Sequence, residues 1–451
     1  MSDIDVSNIN QIGFLFTLSM GMLMLFLPRR VAVLPLLMTA CYITLGQVIN
    51  VASLHFTMIR IIIFFGCVRI MIRKEAASIE LHKIDKIFIL YVITSAIVYC
   101  LLRRDSEAII NQLGFIYNSI GLYFICRSLI IDMSDIDGAL KMLAYVMAPL
   151  AIAMLLEKAT GRNLFAMFGG VPEITMVREG RLRCQGSFAH PILAGTFGAT
   201  SLPFFAALWV KGEGSKLAAM LGIISATIIT ITTTSSGPLL TYMIAIVGLY
   251  MWRFRENMRA IRWSIFFILL ALHMVMKSPV WALIGKASEI IGGGGWHRVE
   301  LIDAAISHFN EWWLLGTDYT RHWMATGVTW SEKHTDITNQ FISVGIDGGL
   351  ISLILFITII VFCYQGIGEK LKEMKQGELP VKFAIWCLGV TLSTHMGSFL
   401  SVHYFDQIIV FWYLLLSFIT AIVTMQVDTV TSNKPADAFI ETESLNASAG
   451  E

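Results

Sequence analysis

The chain is 451 residues long, 56% hydrophobic and only 14% charged, with a formal net charge of +1 and a mean hydropathy of +0.70. A soluble domain carries about 25% charged residues, and no globular core of this size absorbs so much apolar surface, so the bilayer is the expected solvent. The near-neutral balance lacks the basic surplus that nucleic acid demands, which argues against such a partner.

The N-terminus is acidic (Asp3, Asp5). A signal peptide starts basic and ends at a small-residue cleavage site, so Gln11 to Leu27 reads as a retained first span. About 20 apolar residues cross a bilayer. By that measure about thirteen candidate spans follow in order: 11–27, 31–49, 54–72, 87–102, 109–130, 139–157, 188–209, 217–234, 237–251, 263–277, 340–364, 383–400 and 405–425. The pair at 217–251 and the region 383–425 admit other readings, so twelve or fourteen spans stay open. The expected fold class is all-α: a polytopic integral membrane protein of about 12–14 helices, forming a single transmembrane domain over 1–425. The tail 426–451 is rich in Asp, Glu, Ser, Thr, Asn and Ala and reads as a disordered cytoplasmic end.

Basic residues cluster on alternate loops: Arg29, Arg30, Arg73, Lys74, Lys83 and Lys86, then Lys211 and Lys216, then Arg253 to Arg262, then Lys370 to Lys382. That side is expected to be cytoplasmic. Loops 158–187 and 278–339 then face outward. Their arginines (Arg162, Arg178, Arg181, Arg183, Arg298, Arg321) become candidates for an anionic ligand.

Two arginines lie inside the third span. Arg69, near its cytoplasmic end, is expected to snorkel. Arg60 sits about 9 Å in by helix rise and should face a polar cavity or a carboxylate, because an unpaired charge there is costly. In loop 158–187, Arg178, Arg181 and Arg183 precede a small-residue turn and His190-Pro191. In an extended backbone Arg181 and Arg183 share a face, and guanidinium forks suit phosphate oxygens; contact with lipid phosphates is the blander reading. The run Thr230 to Ser236 before Gly237-Pro238 reads either as a hydroxyl-lined turn with Pro238 opening a helix, or as a helix start whose N–H groups meet an anion.

The longest polar interruption runs from about Lys277 to Gly349. It holds four of the ten histidines (His297, His308, His322, His334) and six of the eleven tryptophans (Trp281, Trp296, Trp312, Trp313, Trp323, Trp330). The four glycines Gly292 to Gly295 read as a mobile lid or a loose connection. From Arg298 to Trp313, the positions Val299, Ile302, Ile306, Phe309 and Trp313 make one helical stripe, as in a helix lying on a membrane surface. Tryptophans anchor at interfaces and also stack on sugar rings. His334 should sit at the membrane–water boundary, where a neutral imidazole can take a hydroxyl proton, with Asp336 near enough in sequence to orient it. Of the seven cysteines, six lie in apolar runs and only Cys184 in a polar loop; there is no disulfide framework and no zinc spacing. The patterns Asp3-Ile-Asp5 and Asp135-Ile-Asp137 sit in no nucleotide-sugar domain, and the second reads as a helix cap before Gly138.

These motifs resemble the O-antigen ligase and O-antigen polymerase superfamily of membrane glycosyltransferases. His334 and Thr335 are followed by nine residues, Gly345, two residues and Gly348, close to the family's His-(Asn/Ser/Gln)-x9-Gly-x2-(Gly/Thr/Tyr). Thr335 departs at the second position, and Asn339-Gln340 stand in reach for the missing amide. Arg298 with Trp313-Leu-Leu-Gly316 is similar to the family's Arg before a Pro/Leu-Gly turn. Arg183, Gly186 and Phe188 with His190-Pro191 resemble its Arg-x-x-Gly-x-Phe entry to a central helix. Ser236 replaces the Arg of the family's Ser-Arg-Gly. The resemblance covers about 160–364 well, with the catalytic loop at about 278–339.

It implies transfer of a glycan from undecaprenyl diphosphate, at the periplasmic face of the bacterial inner membrane, onto a sugar hydroxyl. His334 and Arg298 would be catalytic. Arg181, Arg183, Arg178, Arg60, His190, Asn339 and Trp313 would bind diphosphate or glycan. No metal and no cofactor is implied; the partners are the lipid-linked donor, a sugar acceptor (a lipid-linked glycan or lipid A-core), membrane lipids and polysaccharide assembly proteins. A polymerase is favoured over a ligase. A transporter would show inverted repeats and paired broken helices, which the sequence lacks.

Overall fold

The structure is a computed structural model, described here for residues 10–44, 46–51, 54–76, 79–291, 293–329, 331–374, 379–405 and 407–425. Asp3, Asp5, Gly292, Trp330 and the tail 426–451 lie outside the described residues. Seven described helices are long and apolar enough to cross a membrane, and Gln11–Phe26 and Ile408–Thr424 are shorter apolar ones.

Helices α1 (Gln11–Phe26), α2 (Leu34–Tyr42), α3 (Met58–Arg73), α4 (Lys83–Arg103), α5 (Ser106–Leu129) and α6 (Met133–Thr160) form the first half. A hairpin of β1 (Val48–Val51) and β2 (Leu54–Thr57) interrupts it. Strands β3 (Met176–Arg178) and β4 (Arg181–Arg183) follow, then α7 (Pro191–Val210), α8 (Glu213–Thr232), α9 (Ser236–Tyr250) and α10 (Met258–Val275). The long loop carries α11 (Ala282–Ile290), α12 (Trp296–Ser307), α13 (Phe309–Trp312), β5 (Gly327–Val328) and β6 (Ser331–Thr335). Helices α14 (Gln340–Glu373), α15 (Leu379–Phe399) and α16 (Ile408–Thr424) close the chain.

Twelve of the thirteen expected spans are helices within a few residues of their expected bounds. The exception is 31–49, where α2 stops at Tyr42; its nine residues reach about 14 Å, too short to cross. The chain is mostly helical, compatible with the expected all-α class, and three short two-stranded antiparallel hairpins sit in the connections. The run 340–364 extends to Glu373 and kinks at Gly349, whose φ of +66° favours glycine and where a Cβ would also lie 2.4 Å from the Leu314 carbonyl.

The centre of the bundle is α7 with α16. Along α7, Gly195 and Gly198 let α8 and the start of α9 approach closely, since Cβ atoms there would stand 2.6 Å from Thr233 Oγ1 and 2.7 Å from Thr230 Oγ1. Small residues at helix contacts are the membrane solution to close packing. By contrast, α10 buries none of its side chains, so its apolar surface is one that hydrocarbon would solvate and water would not.

Two polar ends are evident. At one, the Arg29–Asp135 (2.5 Å) and Lys211–Asp137 ion pairs tie loops together. Asp132 caps α6, with Asp135 closing a capping box, so one carboxylate of this Asp-x-Asp serves the helix start while Asp137 pairs with Lys211. Arg69 does not snorkel. It is buried, bonds Glu75 bidentately at 2.6 and 2.8 Å, and donates to the carbonyls of Met24 and Leu27 at 2.6 and 2.7 Å. Every bond a guanidinium can make at the C-terminal end of α1 offsets its desolvation. The opposite end carries both long loops; the first is tied to the end of α2 by Ser187 donating to the Cys41 carbonyl (2.6 Å), and Gln407 donates to the carbonyls of Ile43 (2.8 Å) and Ser187 (3.0 Å).

Candidate functional site

Loop 161–190 is held from below by Glu157 at the end of α6. Its carboxylate accepts from the N–H groups of Gln185 (3.1 Å) and Gly186 (2.9 Å) and from Thr175 (3.2 Å). Above it, β3 and β4 form a tight hairpin in which Arg178 faces Arg181 and Met176 faces Arg183. Its two turn residues, Glu179 (φ +53°) and Gly180 (φ +72°), both take left-handed conformations, the geometry that matches strand twist in a two-residue turn. Arg181 and Arg183 leave the same face of β4, as expected, but Arg181 stands at the exposed turn while Arg183, two residues further in, is buried.

Arg183 Nη2 donates to Ser235 Oγ at 2.7 Å, while its buried Nε has no hydrogen-bond partner among the described residues. Ser235 is the residue before α9, yet its hydroxyl donates to the Thr233 carbonyl (3.0 Å) instead of capping the helix. The first turn of α9, Ser236-Gly237-Pro238, is therefore uncapped. The N–H groups of Ser236 and Gly237 and the positive end of the helix dipole lie at this turn. Thr234 sits at φ +45° in this turn, strained for a β-branched residue.

Arg298 comes from α12 across the long loop. It is buried, donates from Nε to the Ser401 carbonyl (3.3 Å) and from Nη1 to Ser288 Oγ (3.2 Å), and has no carboxylate within 4 Å among the described residues. Gly237 leaves the room it needs: a Cβ there would lie 3.3 Å from Arg298 Nη2 and 3.0 Å from Ser401 Oγ.

These groups line one cavity of about 220 Å³. Arg178, Arg181, Arg183 and Arg298 face it from one side or another, with Ser235, Ser236, Gly237, Gly293 and Gly294 between them. Four guanidinium groups against the single carboxylate of Glu179 leave a surplus of three positive charges. The field is visible in its neighbours. Burial, then Arg178 and Arg298, push Arg183 below the usual arginine range, and burial with Arg178 does the same to Arg298. His190 is pushed down to about 4 by burial and then by Arg183 and Arg178, so it is neutral at physiological pH. Its Nδ1 accepts from the Ile192 N–H (3.2 Å) and caps α7.

The other expected residues fall around this cavity or away from it. Arg60 does not line it; its Nε donates to Asn118 (3.2 Å) and its guanidinium packs over Gly114 of α5. Asn339 caps α14 by accepting from Phe341 (2.9 Å) and Ile342 (3.2 Å). Trp313 is exposed with Ile306 and Phe309, whereas Trp312 is buried among Leu301, Ala304 and Ile346. The buried face of α12 is thus Val299, Leu301, Ala304 and Ala305, and much of the expected stripe points outward. Arg162 pairs with Glu173 (3.2 Å), and Arg321 donates to the carbonyls of Met324 (2.9 Å) and Ala325 (3.2 Å).

His334 lies on β6, half-buried, and outside the cavity lining. Burial and then Arg103, at the end of α4, lower its pKa below 6.5, with Asp318 opposing. Asp336, expected to orient it, instead meets His297: Nε2 of His297 is 3.0 Å from the Asp336 carbonyl and 3.8 Å from its carboxylate. That contact fixes the strand carrying His334 to the start of α12, next to Arg298.

Sequence reading had no way to find Ser288 and Ser401, which hold Arg298 by single long-range bonds. Arg103 did leave a signal, since it breaks the charge bias at the loop end of an apolar run. No protein-family model and no curated protein matches this chain.

Proposed function

We propose that the chain is a metal-independent membrane glycosyltransferase of the O-antigen ligase and polymerase superfamily. It moves a glycan from undecaprenyl diphosphate to a sugar hydroxyl at the periplasmic face of the bacterial inner membrane. The observation that carries this reading is the juxtaposition of Arg183 and Arg298, two buried guanidiniums with no carboxylate partner among the described residues, at the uncapped start of α9. Buried cations of like sign repel and lose hydration; a multiply charged anion seated among them restores both, and a diphosphate has the right charge and shape. The cavity opens where apolar helices end, which is where a lipid diphosphate presents its headgroup.

The chemistry then divides between two places. The diphosphate oxygen bound to the anomeric carbon leaves with the bonding electron pair, and the arginines and α9 N–H groups stabilise the charge that develops. The acceptor hydroxyl forms the new carbon–oxygen bond and gives its proton to His334, whose lowered pKa keeps the imidazole neutral at pH 7. A base outside the arginine cavity suits an acceptor that approaches the carbon from the side opposite the leaving group.

A growing lipid-linked glycan as the substrate pair makes the protein a polysaccharide polymerase; lipid A-core as acceptor would make it a ligase, and supplying each acceptor in turn separates the two. The test of the base is transfer by His334→Ala in membranes, with lipid-linked glycan as donor and protein level measured alongside. Loss of product at normal protein level is expected. Full activity would remove His334 from the chemistry.

A further inference from the structure

We propose that His308, Glu311 and His322 form a transition-metal site of the zinc class at the loop end of the molecule, apart from the arginine cavity and independent of the glycan-transfer reading. One ligand atom from each lies within 4.8 Å of the other two. His308 breaks the run between α12 and α13, which places Glu311 one short turn away, and the single helical turn at Arg321–Trp323 brings His322 back over both.

The three side chains are already oriented by neighbours that are not ligands. His308 Nδ1 is 2.9 Å from the Ala304 carbonyl. A carbonyl only accepts, so Nδ1 carries the proton and Nε2 is left with its lone pair. Trp323 Nε1 donates to Glu311 Oε2 at 2.9 Å, and the His308 ring stacks on Trp323 at 5.4 Å and 15°. The His322 ring stacks on Tyr319 at 5.1 Å and 12°, with Nε2 3.0 Å from Glu311 Oε1. Partners that fix the tautomer and carboxylate orientation are the usual outer layer of a metal site.

Two imidazoles and one carboxylate suit zinc, copper or nickel, and are too poor in oxygen for calcium or magnesium. Tetrahedral zinc at its usual bond lengths needs ligand atoms roughly 3.3 Å apart, a closure of about 1.5 Å at most that the exposed Glu311 and His322 can make by rotation. Water would complete the coordination. Binding would join the end of α12 to the segment that leads into β5.

The experiment uses full-length protein without a histidine tag, stripped with chelator and dialysed against zinc ions. One zinc per chain is expected, not displaced by excess magnesium. Glu311→Gln, which keeps the shape and the acceptor for Trp323, and His322→Ala should each weaken binding more than tenfold. Trp323→Phe should weaken it about 10- to 100-fold through the carboxylate's orientation. Size-exclusion profiles check that each variant is folded. No stoichiometric zinc binding by the wild type, or wild-type affinity in folded Glu311→Gln and His322→Ala, would overturn the proposal.

Discussion

His334 and Arg103 make the charge environment of the proposed base testable. A general base acts in its neutral form, and the pKa of His334 is lowered from 6.5 by burial and then by Arg103. The acid limb of the transfer rate, where the imidazole protonates, should therefore have its midpoint below 6.5. Arg103→Gln removes one of the lowering charges and should move the acid limb upward. A rate profile with its acid midpoint above 6.5, or one unmoved by Arg103→Gln, would contradict the assignment. At this scale the sequence was informative about types and poor about partners. Arg183, Arg298 and the Ser235–Gly237 turn could be picked out because charge and hydroxyl runs are conspicuous among apolar spans. Asp336 was the natural partner for His334 by proximity along the chain, but β6 is extended and residues two apart lie 6 to 7 Å along it. Asp336 turned instead to His297 on a different element. Arg60 shows the same limit: the cost of a buried charge forecast a polar cavity or a carboxylate, whereas its Nε donates to the amide of Asn118 on α5, away from the site.

Element by element, hydrophobic run length placed twelve helices because a bilayer-spanning run carries its own signal. It failed at 31–49, where Thr44, Gly46 and Gln47 end the helix. The Gly46 and Gly170 backbones there cross so closely that a Cβ on Gly46 would lie 2.2 Å from Gly170 Cα. The strands were invisible because each is only two to five residues long, below what alternation can reveal. Helix α7 depends on small residues where it meets α8 and α9. Gly195→Val would drive its side chain into Thr233 Oγ1, at 2.6 Å already from a Cβ, and into Pro238 at 2.7 Å. Overpacking of this kind costs about 1–3 kcal/mol, and here it also shifts the start of α9 under the arginines. A lower melting temperature in detergent together with reduced transfer is expected; unchanged stability would mean that α7 and α9 do not pack this closely.

The molecule as a whole has one end built from ion-paired basic loops and another built from the two long loops, the arginine cavity and β6. If the basic end is cytoplasmic, cysteine placed at Arg181 should react with a membrane-impermeant maleimide added to spheroplasts. Cysteine at Lys372, exposed at the far end of α14, should react only after lysis. The reverse pattern would put the cavity on the cytoplasmic side and remove the periplasmic reading. The native cysteines are buried or half-buried, and Cys184 in particular is pushed up to about 12 by burial, so background labelling should be low.

The most direct test is transfer by the purified protein in lipid nanodiscs containing chelator, with a glycan on undecaprenyl diphosphate as donor, comparing wild type with Arg298→Ala. The wild type should form product. Arg298→Ala should fold normally and lose about 10²- to 10³-fold in rate, the typical effect of removing one preorganised stabiliser of a leaving charge. Transfer by Arg298→Ala at the wild-type rate, or no product from the wild type with either acceptor, would contradict the account of the arginine cavity as the seat of the diphosphate.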